Sequence, residues 1–592
     1  MTDANYGTAP ALDRKHVRPS SRIWLYGSGV ITSVFVAGII FWLHSPSQHP
    51  KLLNRTQITR DGLPKTTVLS DGRYLYLSET AQGRHIISKV STDGSSPSKL
   101  SLPFAGEVGY GIAPDRSSLL LSARNESQEA LWTVPLSSGS AYRLPITGRN
   151  ATWAPDGRRI AYVYDSALWV GNRDGTDARE IAKVDGTVFY PRFSPDGRRI
   201  RFSVGNTVQN SSTSSLWEVG ADGTGLHALF SGWHDPPGEC CGSWTSDGRY
   251  YIFQVSQSRP ANVTNLWALA EPVRRSYRKP PTNPIQLTNG PMSFGMASPD
   301  PGRNDKLWAL GVQPAGEFVK YDPASKRFIS LLPGVSGTDL DFSRDGEWVA
   351  YVAIPEGTLW RCRADGSDRL QLSSQPQRAA LPRWSPDGKQ LVFMSVETGS
   401  TWKLLVVAGA GGTPRPLIAG DRNQVDANWS PDGTRIVFGD EWSAKNPAIQ
   451  VLDLKSGQTS TISGSRGLFS PRWSPNGRYI AALSVDFTTL MLFDFQAQKW
   501  SPWLVEPAGA VSYPSWSPDS RHLYFEDLVT GEDSIRRIKV GSTKPESVFV
   551  LKTLDRYPGA FGLWHGRAAD GSQLFVRDRS TQEVYGLDLD LP

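Results

Sequence analysis

Two groups of side chains in this chain have the types and spacing to do chemistry. The first is the run His234-Asp235-Pro236-Pro237-Gly238-Glu239-Cys240-Cys241, which brings imidazole, carboxylates and two thiols together. Zinc takes four thiolate, imidazole or carboxylate donors in tetrahedral geometry, so the run has the right chemistry for a metal. Adjacent cysteines do not readily fill two tetrahedral positions. A disulfide or redox pair, and a plain structural loop, therefore stand beside the metal reading. The second group is Arg192, Arg383 and Arg472, which recur in YPRFSPDG, LPRWSPDG and SPRWSPNG. Guanidinium groups repeated at one structural position could converge on an anion or an acidic peptide. They could equally bridge to Asp or Glu of the neighbouring repeat.

A third set has carboxylates but not the setting for catalysis. Asp71, Asp156, Asp196, Asp247, Asp345, Asp387, Asp432 and Asp519 share one place in a repeat, and Asn476 takes that place once. Most precede Gly in a turn of the Ser-Pro-Asp-Gly kind, complete at Asp196, Asp387 and Asp432, where Pro presets φ, Asp caps the turn amides and Gly accepts φ > 0. Asn keeps the cap and loses the charge, so the role is structural and neither ionic nor catalytic. No G-x-S-x-G elbow, H-E-x-x-H or C-x-x-C occurs, which leaves the common hydrolase, metallopeptidase and thiol-redox signatures without residues. The expectation is a non-catalytic protein with no cofactor.

The elements that must position these residues are hairpins. In NWSPDGTRIVF (428–438) an aromatic precedes the turn and a β-branched, aromatic run follows it, as suits a packed sheet surface. Twelve copies run from Asp71 to a weak last copy at Asp570, and their clean spacings are 40–45 residues. A period of that length with four short strands per unit signals propeller blades, and twelve exceed one ordinary ring of about 4–8. The fold class is all-β, with two β-propellers of about six four-stranded blades each. The simplest division puts them at 56–333 and 334–592. A strand near 56–59 could complete the blade begun by 573–577 and 583–589, which would bring the two ends of the chain into one ring with the other ring inserted. Both divisions remain open on sequence. Trp132, Trp169, Trp217, Trp267 and Trp360 recur in the third strands as inter-blade packing. Longer spacings mark loop insertions at 231–242 and 271–284.

Ahead of the repeats lie a polar tail (1–22), an uncharged run (23–43) and a linker (44–55). The run starts at Ile23, ends at Leu43 and has aromatics near both ends. That length spans a bilayer core as a helix, and the basic tail sets the N-terminus on the cytoplasmic side. The expected location is a bacterial inner membrane with the propellers in the periplasm. The net charge of +6 is scattered over the blades, which argues against nucleic acid and leaves protein partners or a small ligand.

The [WF]-S-P-D-G unit resembles the WD40-like repeat of TolB-type propellers. Stretches 57–65, 337–351, 357–372, 467–483, 490–500 and 577–588 also resemble the periplasmic half of acidobacterial CadC-like membrane regulators. That resemblance covers about residues 22–592 and implies a sensory binding module, with a TolB-like envelope scaffold as the alternative. A winged helix needs on the order of 100 residues, so the 22 residues ahead of the apolar run leave no room for one. The implied role is then accessory to such a regulator.

Overall fold

The computed structural model describes residues 49–592 apart from 82–83, 96, 103–107, 126–127, 138, 209–210, 235–236, 258–262, 273–282, 398–399, 441–443, 507–510 and 529–533. The tail, the apolar run 23–43 and Asp235 lie outside the described residues. Among those described, no helix is long and apolar enough to cross a membrane.

The described chain forms twelve antiparallel four-stranded sheets. Each begins with the turn that the repeat encodes. Ser430 Oγ donates to Asp432 Oδ1 at 2.6 Å and accepts the Arg435 amide at 2.9 Å, while Asp432 Oδ1 accepts the Thr434 amide at 3.0 Å. Gly433 sits at φ 71°, where a Cβ would be strained. The same amide two residues on is held by Asp71, Asp156, Asp196, Asp247, Asp345, Asp387 and Asp519. Asn476 does the same at 3.0 Å without a charge. These bonds hold the Asp432 carboxyl down at about 2, chiefly through Ser430.

The aromatic before each turn fills the seam between blades. Trp384, Trp429, Trp473 and Trp516 are all buried, each contributing roughly 3 kcal/mol by area. Trp429 and Trp516 also donate their indole N–H to the carbonyls of Arg383 and Arg472 in the neighbouring blade. The third-strand tryptophans are half-buried against the blade cores, as packing requires.

The sheets close into two rings of six. The innermost strands of ring one are Lys65–Ser70, Val108–Ile112, Arg149–Trp153, Thr187–Phe193, Glu239–Trp244 and Ser293–Pro299. Those of ring two are Gly337–Phe342, Arg378–Trp384, Val425–Trp429, Leu468–Trp473, Val511–Trp516 and His565–Arg567. Each neighbours the next around its ring, and the last neighbours the first. Both rings close on a composite blade. In ring one, Ser293–Pro299 and Lys306–Gln313 pair outward to Thr581–Asp590 and then Lys51–Gln57. In ring two, His565–Arg567 and Gln573–Asp578 pair outward to Gly316–Asp322 and Arg327–Ser330.

Ring two is therefore inserted into the last blade of ring one, entered at 314–315 and left at 579–580. This corrects the sequential division at 333. It also separates 573–577 from 583–589, which lie in different rings. The reason is pairing. The strand at Gln573–Asp578 finds its outward neighbour in Gly316–Asp322, and Thr581–Asp590 finds its inner neighbour in Lys306–Gln313. The join is tied by Arg579 N–H to the Ala315 carbonyl at 2.9 Å.

Candidate functional site

Strict alternation would leave half of each inner strand facing the ring axis. A bulge changes which residues do so. Eleven innermost strands carry one register break, and in nine of them the break spans two residues. Inside each of those nine breaks one non-glycine residue has positive φ: Asn150, Tyr190, Cys241 and Met296 in ring one, and Asp339, Leu381, Asp426, Ser470 and Tyr513 in ring two. Such a conformation costs on the order of 1 kcal/mol or more and re-aims side chains. Side chains of the preceding blade hold the bulges. Asp339 Oδ2 accepts the Leu381 amide at 3.1 Å, Ser470 Oγ donates to Asp426 Oδ2 at 2.6 Å, and Gln254 Oε1 accepts the Met296 amide at 2.8 Å.

Two residues after each bulge, just before the aromatic, comes the position that held the three arginines in the sequence. In ring two it is occupied in turn by Asp341, Arg383, Asn428, Arg472 and Ser515. All five line one cavity of about 220 Å³, joined by His565 and Arg567 of the sixth blade and walled by Trp473, Tyr513, Trp516 and Trp564. Arg383 and Arg472 thus share a ring while Arg192 lies in the other, so the three arginines do not converge on one axis. The connection 552–564 crosses the axis beneath the cavity. The Phe561 carbonyl accepts the Tyr513 hydroxyl at 2.8 Å, and its ring packs at a tilt against Trp402 at 5.1 Å. Residues 557–560 line a smaller cavity of about 50 Å³ on the far side, with Asp339 and Arg378. The same connection is held by the ion pair between Arg556 and Glu526, whose side chains are 3% and 0% exposed.

The charges in the funnel are unevenly matched. Arg472 Nη1 lies 2.8 Å from Asp426 Oδ1, which is the inter-blade bridge that the sequence left open. Arg383 donates to the carbonyl of its own Pro382 at 2.9 Å, and among the described residues no carboxylate comes within 4 Å of it. Arg567 lies 4.0 Å over the Tyr524 ring, with Nε and Nη1 buried and without a hydrogen bond. Burial pushes its pKa down, as it does that of Arg472. His565 is 3% exposed and neither ring nitrogen has a well-formed hydrogen bond. Burial, then the Arg556 charge, pushes it down to about 3, so it is neutral at ordinary pH. Burial pushes the carboxyls of Asp339 and Asp341 up to about 6, with the Arg383 charge opposing. Ser515 Oγ is also buried without a partner. It shares the cavity with His565 but does not bond it, so no nucleophile and base are paired.

Ring one places the other sequence residues. Arg192 donates to Pro191 O at 2.8 Å and lies 3.8 Å over the Tyr190 ring. His234 Nδ1 and Glu239 Oε1 are 2.6 Å apart, against Trp233 at 4.0 Å. Cys240 and Cys241 are buried and reduced, and Cys241 sits in its bulge at φ 58°. Among the described residues, no three of His, Cys, Asp and Glu converge as a metal site would need.

Asp341, Asn428, Ser515, His565 and Arg567 were not anticipated as site residues. The signal was positional. The residue before the strand aromatic faces the axis whatever its type, so reading that column only for arginine missed the other members. Arg567 stands three residues before the turn aspartate Asp570, where other repeats have the aromatic, and that departure from the repeat was itself a mark.

These hairpins and their closure into rings define a pair of six-bladed β-propellers, consistent with WD40-like repeats of the TolB type. No family model matches the chain. It is 25% identical over 268 residues to tricorn protease homolog 1 of Streptomyces coelicolor, covering 44% of this chain and 24% of that protein. It is 23% identical over 229 residues to an uncharacterised peptidase of Bacillus subtilis, covering 37% and 32%. The chain thus spans a third or less of either relative. A putative TolB from Agrobacterium tumefaciens is similar in structure with a TM-score of 0.38 and 16% identity, over 45% of this chain and 98% of that one.

Proposed function

We propose that the chain is a binding module without catalysis of its own, and that the ring-two funnel is its binding site for a small anion or the acidic end of a partner. One observation carries the reading: three guanidinium groups, from Arg383, Arg472 and Arg567, line one cavity, and among the described residues two of them have no carboxylate partner. Buried cations left unpaired are costly, and a charge-assisted hydrogen bond to an incoming anion relieves that cost. The aromatic walls add apolar contact, which suits a ligand with a carbon skeleton, and the connection crossing beneath suits a small molecule or a chain end over a through-running segment.

The apolar run 23–43 is proposed as the membrane anchor that holds the propellers outside the cytoplasm, as its length and flanking basic tail support. Protease added to intact spheroplasts is expected to digest the propellers; full protection would contradict that placement. A sensory part beside a CadC-like regulator, or an envelope scaffold, are narrower forms of the binding role. Crosslinking in the membrane with identification of partners separates them. A peptidase-related role is the second reading, favoured by the names of the two relatives. Hydrolysis of peptides by the purified chain, surviving further purification, would support it over the first.

The binding reading is tested by thermal unfolding of the full chain in phosphate, succinate and citrate at constant ionic strength. At least one is expected to raise the midpoint in the native chain and not in an Arg383→Gln, Arg567→Gln double variant. Equal shifts in both would overturn it.

A further inference from the structure

The axis of ring one has a different chemistry. Successive residues of a strand point to opposite faces, so Cys240 and Cys241 would ordinarily diverge. The register break between Cys240 and Ser243, with Cys241 at φ 58°, removes that alternation. Cys240 and Cys241 pack together in one buried cluster with Tyr190, and Met296 packs against it. Met296 holds the equivalent bulge of the next blade, at φ 51°, which brings its thioether to the same level of the axis. Two further features surround the sulfurs. Arg192, which has no carboxylate within 4 Å among the described residues, acts on Cys241 with its positive charge. The fully buried Tyr251 hydroxyl has no hydrogen-bond partner and lies against the backbone of Gly242, 2.6 Å from where a Cβ there would stand.

We propose that Cys240, Cys241 and Met296 form a site for a monovalent copper ion on the axis of ring one. Thiolate and thioether donors select soft Cu(I), whereas zinc takes four harder or thiolate donors and uses thioethers poorly. Binding converts two thiols and Cu⁺ to a copper bis-thiolate of net charge −1 and releases two protons to solvent; no electron moves. The Arg192 guanidinium offsets the negative charge that remains on the complex. Ser203 keeps the cradle in place by accepting the Cys241 amide at 3.0 Å. This site is separate from the ring-two funnel, and neither proposal depends on the other.

The test is titration of the reduced full chain under nitrogen with Cu(I) buffered by bicinchoninate. One copper per chain is expected, with sulfur ligands alone in its X-ray absorption spectrum. Loss of a second-shell or weak donor typically costs 10–100-fold in metal affinity, so Met296→Leu should weaken binding about tenfold and Cys240→Ser or Cys241→Ser at least about 100-fold. Cys362→Ser, whose thiol is buried in ring two, should bind as the native chain does. Met296→Leu nearly conserves volume, and its unfolding midpoint shows whether the ring is intact. Failure to compete with the chelator, nitrogen or oxygen ligation, or equal affinity in Cys240→Ser would each overturn the proposal.

Discussion

The two ring axes are built by the same backbone device and carry different chemistry. Both expose a bulged residue and the residue two positions on. In ring one those columns include Asn150, Tyr190, Cys241 and Met296, then Thr152, Arg192, Ser243 and Ser298. In ring two they hold Asp339, Leu381, Asp426, Ser470 and Tyr513, then Asp341, Arg383, Asn428, Arg472 and Ser515. The first set is largely uncharged, with sulfur and a single cation. The second is a charged network over the connection 552–564. The comparison teaches that the repeat decides where a side chain goes, while two residues per blade decide what the axis can bind.

The largest effect should come from loosening that connection in one ring and sparing the other. Glu526→Ala leaves the Arg556 guanidinium buried without its partner, a loss of about 3–5 kcal/mol. The backbone passes between the rings at 314–315 and 579–580. Calorimetry is therefore expected to show an early ring-two transition, with the ring-one transition in place. A single transition displaced as a whole would mean that the rings do not unfold separately.

A second variant sharpens the electrostatic difference. Asp339 and Asp341 titrate near 6 in the fold and near 3.9 unfolded. Between those values the native state holds more protons, so their contribution to stability falls as pH rises through about 4 to 6. Asp341→Asn keeps an acceptor for the Trp384 amide, now at 2.7 Å from Asp341 Oδ2, and removes the titration. It should gain up to about 2 kcal/mol at pH 7 and little at pH 4. The lost attraction to Arg383 trims that gain. By the same sign, anion binding to the native funnel should tighten as pH falls from 8 to 5, and the variant's should be flatter. A matching variant in ring one, Ser243→Ala, should leave the pH profile unchanged. Urea unfolding across pH reads both.

The turn prediction is the smallest and applies to both rings alike. Asp432→Ala removes the acceptor of the Thr434 amide and of two hydroxyls and should cost about 1 kcal/mol. Asp432→Asn should cost less, because Asn476 does the same work one blade on. An equal loss in both variants would give the charge a role that the turn geometry does not require.

Much of this was legible in the sequence because it is local. The turn, the aromatic and the blade period are each set within a dozen residues, and the twelve hairpins fall where turns of the Ser-Pro-Asp-Gly kind placed them. The ring order was not, since it depends on which strand Gln573–Asp578 pairs with, and that choice joins residues about 250 positions apart. The anion funnel was half legible. Arg383 and Arg472 stood out by repetition, but Asp341, Asn428 and Ser515 occupy the same column with other side chains. Their convergence comes from the bulge, whose positive φ falls on Leu381, Asp426 and Tyr513 without any glycine to announce it. In HDPPGECC the ligand types were plain. Which of them share a face was not, because it turns on one φ angle at Cys241.

The most direct test of the central claim is equilibrium titration of the full chain with citrate, read by calorimetry. Native protein, Arg383→Gln with Arg567→Gln, and Arg192→Gln are compared at one pH and ionic strength. The account expects one site per chain and a loss of about 10- to 100-fold in the ring-two double variant, as for removal of charged hydrogen bonds. It expects no change in the ring-one variant. Binding weakened equally by Arg192→Gln, or untouched by the ring-two pair, would contradict it.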